Sequence, residues 1–179
     1  MKKLFVLLFS ALVFSTGAFA QSAESGWFVS SGLGMNVGFT GKKFVGRLES
    51  NIGAGLNLGI NAGYWFNDLM GVRAGYQGIN ISNTFTSFGS KNYTYVHADA
   101  LFRVSPFMYP YAHLGLLGVE KLTVGAGAGM VLPIRLSSRV SLAPDFRALV
   151  FGRRGYIDEK GVSFAMTFSL GVMVDLGKK

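Results

Sequence analysis

The amino-acid sequence predicts an all-β protein: a transmembrane antiparallel up-and-down β-barrel of eight strands, preceded by a signal peptide. Three observations carry that expectation: a two-residue alternation, a composition poor in charge, and an export-type start. From 51 to 64 the odd positions are Asn51, Gly53, Gly55, Asn57, Gly59, Asn61 and Gly63, and the even ones are Ile52, Ala54, Leu56, Leu58, Ile60, Ala62 and Tyr64. A period of two is the mark of a strand with two unlike faces. Gly55, Gly59 and Gly63 also have the four-residue spacing of helix-dimer faces, but a helix would not put every asparagine and glycine on odd positions.

The last segment repeats the pattern. Val162, Phe164, Met166, Phe168, Leu170, Val172, Val174 and Leu176 share one face, and Ser163, Ala165, Thr167, Ser169, Gly171, Met173 and Asp175 the other, with Met173 the bulky apolar exception. Shorter alternations run through 27–37, 70–77, 96–103, 111–116, 122–132 and 139–149. Together these make eight strands, an even number as bacterial outer-membrane barrels have.

Half of the residues are hydrophobic and 15% are charged, with mean hydropathy +0.37, a thin charged coat for a water-facing domain. Beyond the first twenty residues no unbroken apolar run reaches the roughly 18 residues of a membrane helix. A closed barrel is the remaining way to cross lipid, which cannot satisfy open sheet edges. A soluble barrel would turn its apolar set inward and cover its outside with Lys and Glu. Here the polar set is mostly Gly, Asn, Ser and Thr, suited to a narrow lumen, and the apolar set is almost free of charge, as a lipid-facing belt is.

The chain starts with Lys2 and Lys3, then an apolar run from Leu4 to Phe14, then Ala18-Phe19-Ala20 before Gln21. The run is too short to span a bilayer, so residues 1–20 read as a secretory signal peptide and 21–179 as the barrel domain. With no cysteine in the sequence, neither a disulfide nor a cysteine-linked lipid anchor is available. Export and barrel together place the protein in the bacterial outer membrane.

Short connections at 67–69, 105–107 and 133–137 alternate with longer ones near 40–50, 82–92 and 152–161; short turns face the periplasm and longer loops face outward. Residues 118–121 make a short link where a long one is due. Trp27, Trp65, Phe66, Phe102 and Tyr109 near the turns, and Phe39, Phe85, Phe88, Tyr93 and Phe151 near the loops, are expected to form two interfacial girdles.

With its signal peptide, the Tyr109-Pro110-Tyr111-Ala112-His113-Leu114-Gly115 strand start, the Ala143-Pro144-Asp145-Phe146-Arg147 segment and the alternating last strand, the chain resembles the small eight-stranded outer-membrane barrels: the OmpA transmembrane domain, OmpX and the opacity-type surface proteins. The resemblance covers residues 21–179 and implies a fold, not a catalytic motif. It implies as partners outer-membrane lipid and lipopolysaccharide, with the barrel-assembly machinery and periplasmic chaperones during biogenesis. Such barrels usually end on an aromatic residue; this one ends Asp175-Leu176-Gly177-Lys178-Lys179, with Leu176 in that place.

By parity Arg73, Asp99, Arg103, Asp145, Arg147 and Asp175 point into the lumen. Three arginines facing three aspartates imply mutual pairing, since an isolated buried charge costs several kcal/mol, on the order of its desolvation. An ion path is the other reading, but eight strands enclose only what side chains can fill. His97 and His113 fall on neighbouring strands, facing the same lumen. A lipid-modifying barrel enzyme would need a serine beside a histidine on the outer face, and the alternation places none there. No catalytic residue, cofactor site or metal site is expected: there is no His and Cys cluster, and Gly125, Gly127 and Gly129 lack the Lys-Ser or Lys-Thr of a phosphate loop. Outward loops and strand tips carry Lys42, Lys43, Arg47, Lys91, Lys121, Arg153, Arg154 and Lys160 against Glu49, Glu120, Asp158 and Glu159. That basic rim faces anionic lipopolysaccharide. Nucleic acid is not an expected partner, for no reading motif is present. The functional expectation is a non-enzymatic barrel that serves envelope structure or surface interaction, with a minor solute channel and a lipid A-modifying enzyme as the alternatives.

The export reading is checked by intact-mass measurement of protein from envelopes: the mature chain is expected to begin at Gln21, and retention of residues 1–20 would contradict it.

Overall fold

A computed structural model describes residues 25–41, 51–81, 91–118, 122–151 and 162–177. The strands are β1 (Gly26–Gly41), β2 (Asn51–Trp65), β3 (Met70–Ile81), β4 (Lys91–Phe102), β5 (Tyr109–Gly118), β6 (Thr123–Val131), β7 (Ile134–Arg135), β8 (Val140–Phe151) and β9 (Val162–Gly177). Residues 1–20, the greater part of the longer connections, and Phe85 and Phe88 lie outside the described residues.

The sheet runs β6-β5-β4-β3-β2-β1-β9-β8 and closes through β6 against β8, so each of the eight long strands is hydrogen-bonded on both sides. All pairings are antiparallel. Closure is what lipid demands of a sheet, since an open edge would leave backbone donors and acceptors without partners. One register irregularity falls between Trp27 and Phe28, where β1 meets the end of β9. Residues 133–137, expected as a plain turn, hold the two-residue strand β7, which pairs with β8 through Ile134↔Leu142 and Arg135↔Ser141. The expectation missed it because two residues are too few to display a period.

Parity sorts the faces as expected. Leu33, Leu58 and Leu114 are each about three-fifths exposed to the surroundings of the barrel, an arrangement that only an apolar solvent tolerates along a whole belt. Inside, two apolar layers enclose a polar one. Phe28, Trp65, Leu101, Tyr109, Tyr111, Val131, Ala143 and Met173 pack near the short turns. Ile79, Tyr95, Leu117, Leu149, Phe151 and Ala165 pack toward the other end. The lumen glycines give these rings their seats: a Cβ at Gly63 would strike the Phe28 ring, and one at Gly115 would strike Tyr95.

The girdle assignment needs correction. Trp27, Phe66 and Phe102 are exposed, but Trp65, Tyr109 and Phe151 are buried in the lumen, at 2%, 5% and 1% exposure, and Tyr93 packs against the outer apolar layer. Proximity to a strand end does not decide the face; parity does, and all three share the parity of lumen residues on their strands. The side chain of Phe39 lies outside the described residues.

The face assignment has a direct test in reversible unfolding. Leu58→Arg is expected to destabilise the barrel by about 2–4 kcal/mol, the cost of a cation on the lipid face near the midplane, whereas Leu58→Val is expected to be mild.

Candidate functional site

The polar layer of the lumen is built by register. Arg73 on β3 stands opposite Asp99 on β4, and Asp99 stands opposite His113 on β5, so three neighbouring strands deliver a cation, an anion and an imidazole to one place. Arg73 Nε donates to Asp99 Oδ2 at 2.5 Å. Its Nη1 crosses the lumen to donate to Asp145 Oδ2 on β8 at 3.0 Å. The Tyr111 hydroxyl donates to Asp145 Oδ1 at 2.5 Å and receives Arg147 Nε at 3.0 Å. Arg147 also donates through Nη1 to Gln77 Oε1 at 3.3 Å and lies 3.6 Å from Asp145 through Nη2.

Both histidines turn to Asp99. His113 Nδ1 is 2.5 Å from Asp99 Oδ1 and His97 Nδ1 is 3.3 Å from the same oxygen, while the Tyr95 hydroxyl hydrogen-bonds His113 Nε2. The imidazole rings are 4.8 Å apart between centroids. The Arg73 guanidinium sits over the Tyr111 ring at 4.7 Å, adding a cation–π contact to its two ion pairs. Arg73, Gln77, His97, Asp99, His113, Asp145 and Arg147 are all buried. Two guanidiniums facing two carboxylates leave no net charge, the condition for ionised groups in a dry interior.

A second polar set spans β1, β2 and β9. Asn36 Oδ1 receives Asn57 Nδ2 at 3.0 Å and Thr167 Oγ1 at 2.8 Å, and Asn61 Nδ2 donates to Ser30 Oγ at 3.1 Å. The site is thus a cross-braced core. The Arg73–Asp145, Tyr111–Asp145 and Arg147–Gln77 bonds tie strands that are not neighbours in the sheet, whereas the Asn36 set joins adjacent ones.

Of the expected lumen charges, Arg73, Asp99, Asp145 and Arg147 come together and Arg103 and Asp175 do not join them. The expected mutual pairing of three arginines with three aspartates is therefore corrected to a set of four, in which Asp99 and Asp145 each serve two or more donors and Arg73 bridges both. Arg103 and Asp175 are half-buried at the short-turn end, below the layer made by Leu101 and Tyr111. There the Arg103 guanidinium stacks on Trp65 at 4.0 Å and Tyr109 at 5.3 Å. The basic rim at Lys42, Lys43, Arg47, Lys121, Arg153, Arg154 and Lys160 lies outside the described residues, as does the side chain of Lys91 at the start of β4.

Tyr95, Tyr111 and Gln77 are network members that sequence reasoning missed; the available signal was parity, since Tyr95 shares its face with His97 and Tyr111 with His113. Ligand atoms of His97, Asp99 and His113 lie within 4.8 Å of one another, near enough for one cation. Yet Asp99 Oδ1 already meets both imidazoles and Oδ2 holds Arg73. An added divalent ion would also upset the balance of charge, so the geometry favours a hydrogen-bonded core over a metal centre.

Residues 6–179 match the family model described as "Outer membrane protein beta-barrel domain". Among solved structures the chain is similar to Neisserial surface protein A, at 19% identity and TM-score 0.60 over 86% of this chain and 99% of that one. It is also similar to Ail, the attachment invasion locus protein of Yersinia pestis, at 16% identity and TM-score 0.52 over 84% and 99%. A third similar structure is outer membrane protein AlkL, at 14% identity and TM-score 0.54 over 89% and 95%. At these identities the likeness is one of fold. None of the curated proteins compared matches the chain.

The bridging role of Asp145 sets an expected outcome. Asp145→Ala leaves Arg73 and Arg147 short of a carboxylate and is expected to cost about 3–5 kcal/mol in reversible unfolding. Asp145→Asn, which keeps the volume, separates charge from packing.

Proposed function

The chain belongs to the outer-membrane β-barrel domain family, and from that premise we propose that it is a non-enzymatic barrel with a closed, charge-paired lumen, serving envelope structure or surface interaction through its outward loops. It is an integral protein of the outer membrane, and its belt meets the lipid. The observation that carries the reading is the filled interior: a neutral Arg–Asp–His–Tyr layer lies between two apolar layers. An enzyme acting on lipid would need a nucleophile that its substrate reaches, yet the hydroxyls in the network, on Tyr95 and Tyr111, are buried. A porin would need a water path, and eight strands enclose only enough space for side chains.

With the lumen filled, recognition falls to the loops. Their basic residues suit the phosphates of lipopolysaccharide, and Ail, a barrel of the same fold, carries attachment in its name. During biogenesis the barrel-assembly machinery and periplasmic chaperones are its expected partners.

Planar-bilayer recording tests the reading. The wild-type barrel is expected to give no stable unitary conductance, and Asp145→Ala to raise current only as it lowers stability. Large, stable, ion-selective currents from the wild type, with unfolding unchanged in Asp145→Asn, would establish a screened, water-filled lumen and reverse the proposal in favour of a channel.

A further inference from the structure

The short-turn mouth of the barrel gathers positive charge that the lumen network does not use. Arg103 follows the last residue of β4, and Arg135 on β7 and Arg139 before β8 are exposed at the same end. Arg103 and Arg135 both lie within electrostatic reach of Asp175 and Tyr109, and the Asp175 amide donates to the Arg139 carbonyl at 2.8 Å. Asp175 is thus shared. The other described carboxylate at this end, Asp68, stands in the β2–β3 turn beside Leu69, whose carbonyl receives the Arg103 amide at 2.7 Å, and its side chain is exposed.

Unused donors lie in the same layer. Arg103 Nε and Nη1, the Trp65 indole Nε1 and Ser105 Oγ are buried without a hydrogen-bond partner, and Trp65 as a whole is 2% exposed. Buried donors left unmade are costly and point to a missing acceptor. The guanidinium stacks on the Trp65 ring and also shares a side-chain hydrogen bond with Tyr109, which leaves Nε and Nη1 without an acceptor. Guanidinium N–H donors make charge-assisted hydrogen bonds that fit carboxylate and phosphate oxygens.

We propose that this mouth is an oxyanion-binding site, in which Arg103 grips a carboxylate or phosphate group presented from the periplasmic side while Arg135 and Arg139 supply the surrounding positive field. The group belongs either to a soluble periplasmic ligand or to a phospholipid headgroup of the adjoining leaflet. The inference is independent of what the outward loops bind.

The chain has two tryptophans, and Trp65 lies directly beneath the guanidinium, so in Trp27→Phe the indole fluorescence reports on the site alone. Inorganic phosphate added to the detergent-folded protein is expected to change Trp65 emission saturably, where chloride at equal ionic strength does not. Arg103→Lys keeps charge but loses the guanidinium, and is expected to bind about ten-fold more weakly, the scale of one lost charge-assisted contact. Arg135→Gln changes an exposed residue, and is expected to weaken binding several-fold while retaining the unheated mobility of the folded barrel. Repetition in nanodiscs distinguishes the sources. A response seen in detergent but suppressed by phosphatidylglycerol, alone or with phosphatidylcholine, assigns the site to a headgroup, and a response kept in both lipids assigns it to a soluble anion. A change that chloride reproduces, no change at all, or a titration unaltered in Arg135→Gln with the barrel folded would overturn the proposal.

Discussion

Lipid offers the backbone no hydrogen-bond partner, and the rest of this structure depends on that constraint. Each strand must be paired on both sides, so the chain bends its sheet until β6 meets β8. Closure at eight strands then fixes an interior about as wide as the side chains that fill it. An inward position therefore either carries a group that fits or makes room for one. The glycines belong to the second kind, with Phe28 and Tyr95 leaning over Gly63 and Gly115. An interior of glycine and small polar groups alone would leave voids, and the aromatic layers at the two ends remove them.

Within that width the charges act as braces. Arg73 is hydrogen-bonded both to the neighbouring strand, through Asp99, and to the far wall, through Asp145, so it couples the β3–β5 side of the barrel to β8. Asp99 is held in turn by two histidines on β4 and β5. All of these groups are buried, and removal of one leaves the others short of a partner. Burial of the network is what makes it specific: a shift of β3 against β4 by one residue would turn Arg73 toward lipid and leave Asp99 facing no cation.

The existence, number and faces of the long strands were legible in the sequence because a barrel wall between lipid and a polar lumen writes its two solvents into alternate residues. The 51–64 segment keeps that alternation at every position, and its strand lies where the pattern placed it. Legibility failed where the lumen is apolar. Trp65, Tyr109 and Phe151 face inward although composition alone would assign them to lipid or its borders, and β3, β4 and β8 extend past the segments whose alternation is clean. The candidate site was legible as a set of inward charges and two histidines. Its connectivity was not, because which carboxylate meets which guanidinium depends on strand stagger across the lumen. Arg103 shows the limit: it has the correct parity but sits a layer away from Asp99 and Asp145, with Asp175 the acid at its own end.

The apolar layer near the short turns also separates the braced lumen from the charges at that mouth. In salt, exposed charges are screened beyond roughly 8–10 Å. Changes at Arg135 or Arg139 therefore leave the lumen network largely undisturbed. No residue of the network is drawn from a connection between strands, so the connections can vary on a fixed scaffold. The short-turn end keeps its own chemistry, in which Arg103 stacks on Trp65 with Asp175 within electrostatic reach, and its Nε and Nη1 are left without a partner.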